Sequence, residues 1–200
     1  MVGLEFAPLR YRVRRAGFET RRFHYSSLRH GVDENARGLG AYLQALPAER
    51  LHLVAHSLGG LVTLRMFQQG VKLAPGRVVF LGSPVRGSRA AAYLAENGLR
   101  WALGKAGPGG LAERYEPRWT EPRELGVVAG THEFAINPMN FGLASPHDGM
   151  VSVTETVVDG AKDSVTIHAN HTGMLFTREL AEQVVTFLEG GRFRHGSQGG

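Results

Sequence analysis

The chain of 200 residues contains no cysteine, which excludes disulfide bridges, thiolate zinc sites and a cysteine nucleophile. Long apolar runs are also lacking, and no segment is apolar enough to span a membrane. The first six residues have neither the basic stretch nor the apolar core of a signal peptide. For the chain as given we therefore predict a cytoplasmic location, and no amphipathic segment supports association with a membrane.

Lysine is scarce, so arginine carries almost all of the positive charge, and the formal net charge is +5. A basic face of this kind could meet nucleic acid or anionic lipid. The early arginines, however, alternate with apolar residues at helix and strand spacing, which is typical of the solvated side of ordinary elements. No recognised binding module accompanies them, so we do not predict nucleic-acid binding.

Short runs of β-branched or aromatic residues predict strands at 19–25, 51–55, 78–81, 126–129 and 165–168. Helical spacing of apolar residues predicts helices near 6–13, 39–46, 61–66 and 180–188. Strands that alternate with helices predict an α/β fold, with a mostly parallel sheet and helices on both faces. Length fits a single domain over residues 1–190, followed by a flexible tail at 191–200.

Residues 86–122 break this alternation, since they are punctuated by Gly and Pro around one helical piece at 89–96. The segment is either a long surface excursion or a cap-like insertion over a binding cleft. Its aromatic residues Trp101, Tyr115 and Trp119 would favour apolar acyl chains if they lined that cleft. Packing against the core is the interpretation we favour for them.

The stretch Ala55-His56-Ser57-Leu58-Gly59-Gly60 lies between a predicted buried strand and a predicted helix. This setting is typical of a nucleophile elbow, in which a serine occupies a sharp turn and the flanking positions must be small. Gly59 and Gly60 meet that requirement, and Ala55 differs from glycine by one methyl group. The amide of Leu58, at the start of the new helix, would then point at an oxyanion.

A serine hydroxyl needs a base to remove its proton, and the base needs an acid to orient it. In the sequence after such an elbow, the acid comes first and the histidine second. Asp148 and His171 have this order, and each follows a predicted strand, where open α/β sheets collect their ligands. Asp159 and Asp163 are rival acids and His147 is the nearest rival base. No histidine spacing indicates a metal site.

These motifs together resemble the bacterial lipase-like α/β-hydrolases. The elbow looks like their "GHSLGG" motif. The stretch after their next strand is similar to Gly82-Ser83-Pro84-Val85-Arg86-Gly87-Ser88. The turns that contain Asp148 and His171 match the acid and histidine turns of the family. The resemblance spans about residues 3–188. It implies a hydrolase acting on carboxylic esters or thioesters without a cofactor. The resemblance implies that Ser57 is the nucleophile, that His171 is the general base and acid, and that Asp148 orients His171. It also implies that the amide of Leu58 lies in the oxyanion hole. The residues that it places in contact with the substrate are His56, Pro84 and Val85.

The same resemblance implies a strand that this sequence lacks. Members of the family open with an apolar strand ending in His-Gly-aromatic, which lies between the strand predicted at 19–25 and the nucleophile strand, and whose following loop supplies a second oxyanion amide. We therefore expect an N-terminally truncated sheet, with unpaired backbone along the nucleophile strand and feeble activity. An open reading frame started at an internal Met would explain this, and an in-frame apolar-His-Gly segment in the upstream DNA would support it.

Three functions fit these residues. The first is hydrolysis of a small-molecule or lipid ester through an acyl-enzyme. The second is a catalytically impaired hydrolase fold that binds a lipid or protein partner through residues 86–122. The third keeps the three side chains but transfers the acyl group to an alcohol or amine.

Overall fold

Four parallel strands form the centre of the molecule. The computed structural model describes residues 4–26, 29–99, 104–105, 116–133 and 141–196. The strands are β1 (Leu53–His56), β2 (Val78–Leu81), β3 (Leu125–Gly130) and β4 (Asp163–Ile167), and they lie in the sheet in that order. Because all of them run parallel, their carboxyl ends meet at one edge of the sheet.

The helices cover both faces of this sheet, as the sequence predicts. They are α1 (Ala7–Arg15), α2 (Val32–Gln44), α3 (Leu58–Gln68), α4 (Arg89–Glu96) and α5 (Arg178–Gly190). Apolar residues of α2 and α3 pack in one cluster with Val78 and Phe80 of β2. Those of α1 and α5 pack in a second cluster with Val79 and Leu81, so β2 is buried on both faces. None of the helices within the described residues is both long and apolar enough to cross a membrane.

Four of the five predicted strands form, and the prediction of a strand at residues 19–25 is wrong. That segment has no ladder pairing within the described residues, although Phe23 and Tyr25 pack against the cluster of α2 and α3. The N–H and C=O groups of a strand need a neighbouring strand as hydrogen-bond partner. The pattern of β-branched and aromatic residues indicates only that their side chains are packed. The residues thus bury the predicted side chains without the predicted hydrogen bonds.

The sheet ends at β1, which within the described ranges pairs only with β2. The amides of Leu53 and Ser57 donate to the carbonyls of Arg77 and Leu81, at 2.9 Å each. Because alternate residues of a strand face opposite neighbours, the N–H and C=O groups of Val54 and His56 face away from β2. A cavity of about 580 Å³ lies on that side, lined by β1, by α1 and by residues 18–25.

Two segments outside the sheet, the predicted tail and the predicted cap-like insertion, are described only in part. Of the tail predicted at 191–200, residues 191–196 are described, and Phe193 among them is buried, stacks on Phe187, and donates its amide to Asp163. Of the cap-like insertion, α4 lies at the predicted 89–96, and Trp119 packs between Phe67 and Phe80, which agrees with the packing interpretation. Trp101 and Tyr115 lie outside the described residues, as do 197–200.

Candidate active site

Ser57 occupies a strained turn between β1 and α3. Its backbone has φ 54° and ψ −129°, and it is the only residue other than glycine with a positive φ in the part of the chain that the structure describes. A side chain in this region costs about 1–3 kcal/mol, which the surrounding structure must supply. The turn is held by the Ser57 amide, which donates to the Leu81 carbonyl of β2. This geometry is that of the elbow predicted from the sequence.

The small residues of the elbow allow α3 to lie close to the sheet. A Cβ atom added to Gly60 would lie 2.5 Å from the Cβ of Ser83, so position 60 admits only glycine at this approach. At Gly59 an added Cβ would lie 3.7 Å from that of Ala55, an ordinary contact. The requirement for a residue without a side chain therefore applies to Gly60, which lies against the loop that follows β2, and not to Gly59.

His171 lies beside this serine, after β4. Its Nε2 atom is 3.0 Å from Ser57 Oγ, and its Nδ1 atom is 2.7 Å from Asp148 Oδ2. Since a carboxylate can only accept, Nδ1–H donates to Asp148 and leaves the lone pair of Nε2 facing the serine hydroxyl. The three side chains therefore form one continuous line of hydrogen bonds in the direction that general-base chemistry requires.

Asp148 is fixed on all sides and is only 1% exposed. While its Oδ2 accepts from His171, its Oδ1 accepts from the amides of Met150 and Val151, at 3.0 and 2.8 Å. The carbonyl of Asp148 in turn accepts from the His171 amide at 2.9 Å. The acid turn and the histidine turn are thus joined twice, through backbone and side chain.

Gly82 and Gly130, which are not among the predicted site residues, leave room for Asp148 and His171. Gly82, which follows β2 with φ 51°, would place an added Cβ 3.1 Å from Asp148 Oδ2 and 3.3 Å from His171 Nδ1. An added Cβ at Gly130, the last residue of β3, would lie 2.8 Å from the Cβ of Asp148. A glycine directly after a predicted strand, at the edge where the candidate residues meet, was the available signal.

The rival residues have other partners. Asp159 accepts from Arg86 at 3.1 Å, and Asp163 from His195 at 3.0 Å. His147 accepts from the Gly149 amide through Nδ1 and faces Glu133 with Nε2. None of these three groups is hydrogen-bonded to Ser57 or His171 within the described residues.

The other predicted site residues are mostly buried. Leu58 is the first residue of α3, and an amide there has no carbonyl partner within its helix, as the oxyanion prediction requires. His56, Pro84 and Val85 are all buried, and Val85 packs in the cluster of α2 and α3. Their predicted contact with substrate stays a prediction, as does the role of Leu58.

Comparisons with known proteins agree with the fold and show the family. A model of the alpha/beta hydrolase family matches residues 3–198. Among solved structures, the chain is similar to Bacillus licheniformis lipase BlEst2 in its mature form, with a TM-score of 0.63, 16% identity, and coverage of 80% of this chain and 74% of that one. The propeptide form of the same lipase gives a TM-score of 0.64 and 17% identity over 79% of this chain, which spans only 41% of that form. The search of curated proteins finds no match.

Proposed function

The chain belongs to the alpha/beta hydrolase family, and on that premise we propose that it is a serine hydrolase that cleaves carboxylic esters. The observation that carries the proposal is the line of hydrogen bonds from Asp148 through His171 to Ser57, at 2.7 and 3.0 Å. The names of the similar solved structures, which are lipases, support an ester as the substrate class. Thioesters react by the same steps.

In the first half of the reaction, Ser57 Oγ attacks the carbonyl carbon of the ester while its proton passes to His171 Nε2. The carbonyl oxygen becomes an oxyanion, which the Leu58 amide at the start of α3 would stabilise. When the carbon–oxygen bond to the alcohol breaks, the leaving oxygen takes the proton from Nε2. Ser57 is then acylated and His171 is neutral again.

In the second half, water takes the place of the alcohol. His171 Nε2 accepts a proton from the water as its oxygen attacks the acyl carbon, and then returns this proton to Ser57 Oγ as the acid leaves. Asp148 accepts from Nδ1–H throughout, so the ring keeps the tautomer that presents the lone pair of Nε2 to the serine.

The test is hydrolysis of a series of p-nitrophenyl esters with acyl chains of increasing length. We expect turnover by the wild type and a loss of roughly 10³–10⁶-fold in kcat for Ser57→Ala, because the remaining site has no nucleophile. Product analysis with an added alcohol distinguishes hydrolysis from acyl transfer, since transfer yields a new ester in place of the acid. A folded wild type that hydrolyses no ester, or a Ser57→Ala variant as active as the wild type, would contradict the proposal.

A further inference from the structure

His56 connects the strand of the nucleophile to the loop of the base. It is the last residue of β1, directly before Ser57, and it is only 4% exposed. Its Nε2 atom lies 2.9 Å from the backbone carbonyl of His171. The two imidazole rings lie against each other with their centroids 4.6 Å apart, and Phe6 contacts the His56 ring edge-on at 6.1 Å.

The hydrogen bond fixes which nitrogen of His56 carries the proton. A carbonyl oxygen can only accept, so Nε2–H donates to His171, and Nδ1 carries a lone pair. Burial, with a further contribution from the neighbouring His171, lowers the pKa of His56 to about 3. The ring is therefore neutral at any pH at which an esterase of this kind would work.

The backbone of His171 is held from both sides by this arrangement. Its amide donates to the Asp148 carbonyl at 2.9 Å, and its carbonyl accepts from His56 at 2.9 Å. The first contact ties the base to the acid turn, and the second ties it to the strand that carries the nucleophile. Since His56 and Ser57 are adjacent in the chain, the second contact joins the loop of His171 to the residue next to the serine.

We propose that His56 is a positioning residue, whose Nε2–H holds the His171 loop at the distance from Ser57 that proton transfer requires. The inference rests on the proposed function and assigns His56 a role other than the predicted contact with substrate. The buried Nδ1 has no hydrogen-bond partner among the described residues. An unsatisfied buried acceptor costs about 1–3 kcal/mol, so an apolar residue would be favoured here unless the Nε2–H donor were needed.

Two variants separate the hydrogen-bond donor of His56 from the shape of its ring, and a third is a control for stability. His56→Phe keeps a ring of similar size but has no donor, whereas the side-chain amide nitrogen of His56→Gln can occupy the place of Nε2 and donate to the same carbonyl. Gln183→Met removes a buried polar side chain of α5 that hydrogen-bonds to the backbone of Arg194. None of the candidate active-site residues lies in α5. This variant controls for lost stability alone.

For p-nitrophenyl acetate we expect His56→Phe to lower kcat by about 10–100-fold with KM within about twofold, since a small displacement of a catalytic group costs rate and not binding. We expect His56→Gln to recover kcat to within about threefold of the wild type. Gln183→Met should lower the thermal midpoint and leave kcat in place. Circular dichroism of each variant at the assay temperature shows that the comparison is between folded proteins.

The outcomes separate this inference from the proposed function. An active wild type with His56→Phe unimpaired would overturn the positioning role alone, and so would a folded His56→Gln as slow as His56→Phe. An increase in KM at unchanged kcat would show instead that His56 contacts the substrate. A wild type without esterase activity would overturn the proposed function, and the positioning role with it.

Discussion

At the scale of single residues, Asp148 shows how the chain orients the imidazole of His171, the proposed base. Two backbone amides fill one carboxylate oxygen, and the imidazole N–H fills the other, so the side chain has one orientation. Burial at 1% exposure keeps water from competing for these bonds. The carboxylate therefore dictates both the tautomer and the direction of the His171 ring.

Replacing Asp148 with asparagine removes this control without changing its shape. The amide group of Asp148→Asn donates where the carboxylate accepted, which favours the tautomer with its proton on Nε2 and leaves the base without a free lone pair. We expect kcat to fall roughly 10⁴-fold. Asp159→Asn is the matched control, because Asp159 is a rival acid paired with Arg86, and its loss should change kcat by less than about twofold. Equal effects of the two substitutions in the ester assay would contradict the assignment.

His56 also gives the folded protein a characteristic response to acid. Its pKa of about 3 in the folded state lies below the ordinary value of 6.5, so between these pH values the unfolded chain binds a proton that the folded chain does not. The contribution of His56 to the free energy of unfolding is therefore fully present above pH 6.5 and decreases as the pH falls. Between pH 7 and pH 4 the decrease is about 3 kcal/mol.

The measurement is denaturant unfolding at pH 7 and pH 4 for the wild type and His56→Gln, whose side chain does not titrate. We expect the free energy of unfolding to fall less in the variant, by about the 3 kcal/mol that belongs to His56. Identical losses in the two proteins would show that His56 titrates in the folded state as it does in the unfolded chain.

The three side chains of the candidate site could be predicted because each lies in a short motif with a local physical reason. Ser57 stands in a run of small residues after a buried strand, and Asp148 and His171 follow strands in the required order. The role of His56 could not be predicted in this way. Its hydrogen bond joins residues 115 positions apart, and no local pattern reports such a contact.

At the scale of elements, the parallel strands of the sheet bring the site together at their carboxyl ends. Ser57 follows β1 directly, His171 follows β4, and Asp148 reaches the same edge through the long segment after β3. The ends of β2 and β3 carry glycines that leave space for Asp148 and His171. The absence of a side chain at these two glycines is therefore as necessary to the geometry of the site as the side chains at the other strand ends.

Gly82 tests this use of space. Gly82→Ala forces a side chain into a backbone with φ 51° and brings a methyl group within 3.1 Å of Asp148 Oδ2, so the pair with His171 must shift. We expect kcat to fall about 10–100-fold, together with a loss of stability of about 1–3 kcal/mol.

Gly98→Ala is the control for backbone strain alone. Gly98 follows α4 with φ 76°, and an added Cβ would meet nothing within 4 Å. It should lose similar stability in thermal unfolding and keep its kcat. If both variants lost the same fraction of kcat, contact with the acid and base would not be the cause.

The helices and four strands could be predicted from periodicity because amphipathic patterns report burial directly. Residues 19–25 have the same pattern and form no strand, since a pattern of side chains does not report whether a neighbour exists for the backbone. The end of the chain shows what composition does not report. Gly and Arg predicted a flexible tail, yet Phe193 stacks on Phe187 of α5 and hydrogen bonds join residues 193–195 to Gln183 and Asp163.

At the scale of the whole molecule, β1, which leads into Ser57, is an outermost strand of the sheet that the described residues form. This agrees with the expectation of unpaired backbone beside the nucleophile strand, and the cavity of about 580 Å³ lies along that edge. Edge strands are the least protected part of a sheet and the part most ready to pair with another segment. The precise turn at Ser57 thus rests on a strand supported from one side.

Hydrogen exchange should report this asymmetry residue by residue. The amides of Leu53 and Ala55 face β2, whereas those of Val54 and His56 face the cavity. We expect the second pair to exchange at least about tenfold faster than the first in amide exchange followed by NMR. Equal protection of all four amides would mean that another segment, or a second copy of the chain, pairs with β1 in solution.

The most direct test of the central claim is reaction of the folded protein with a fluorophosphonate, followed by mass spectrometry of its peptides. Such a probe traps a serine only when a neighbouring base activates its oxygen. Our account predicts one phosphonyl adduct on Ser57, absent in Ser57→Ala and formed far more slowly in Asp148→Asn. A folded wild type that forms no adduct, or forms it on another serine, would contradict it.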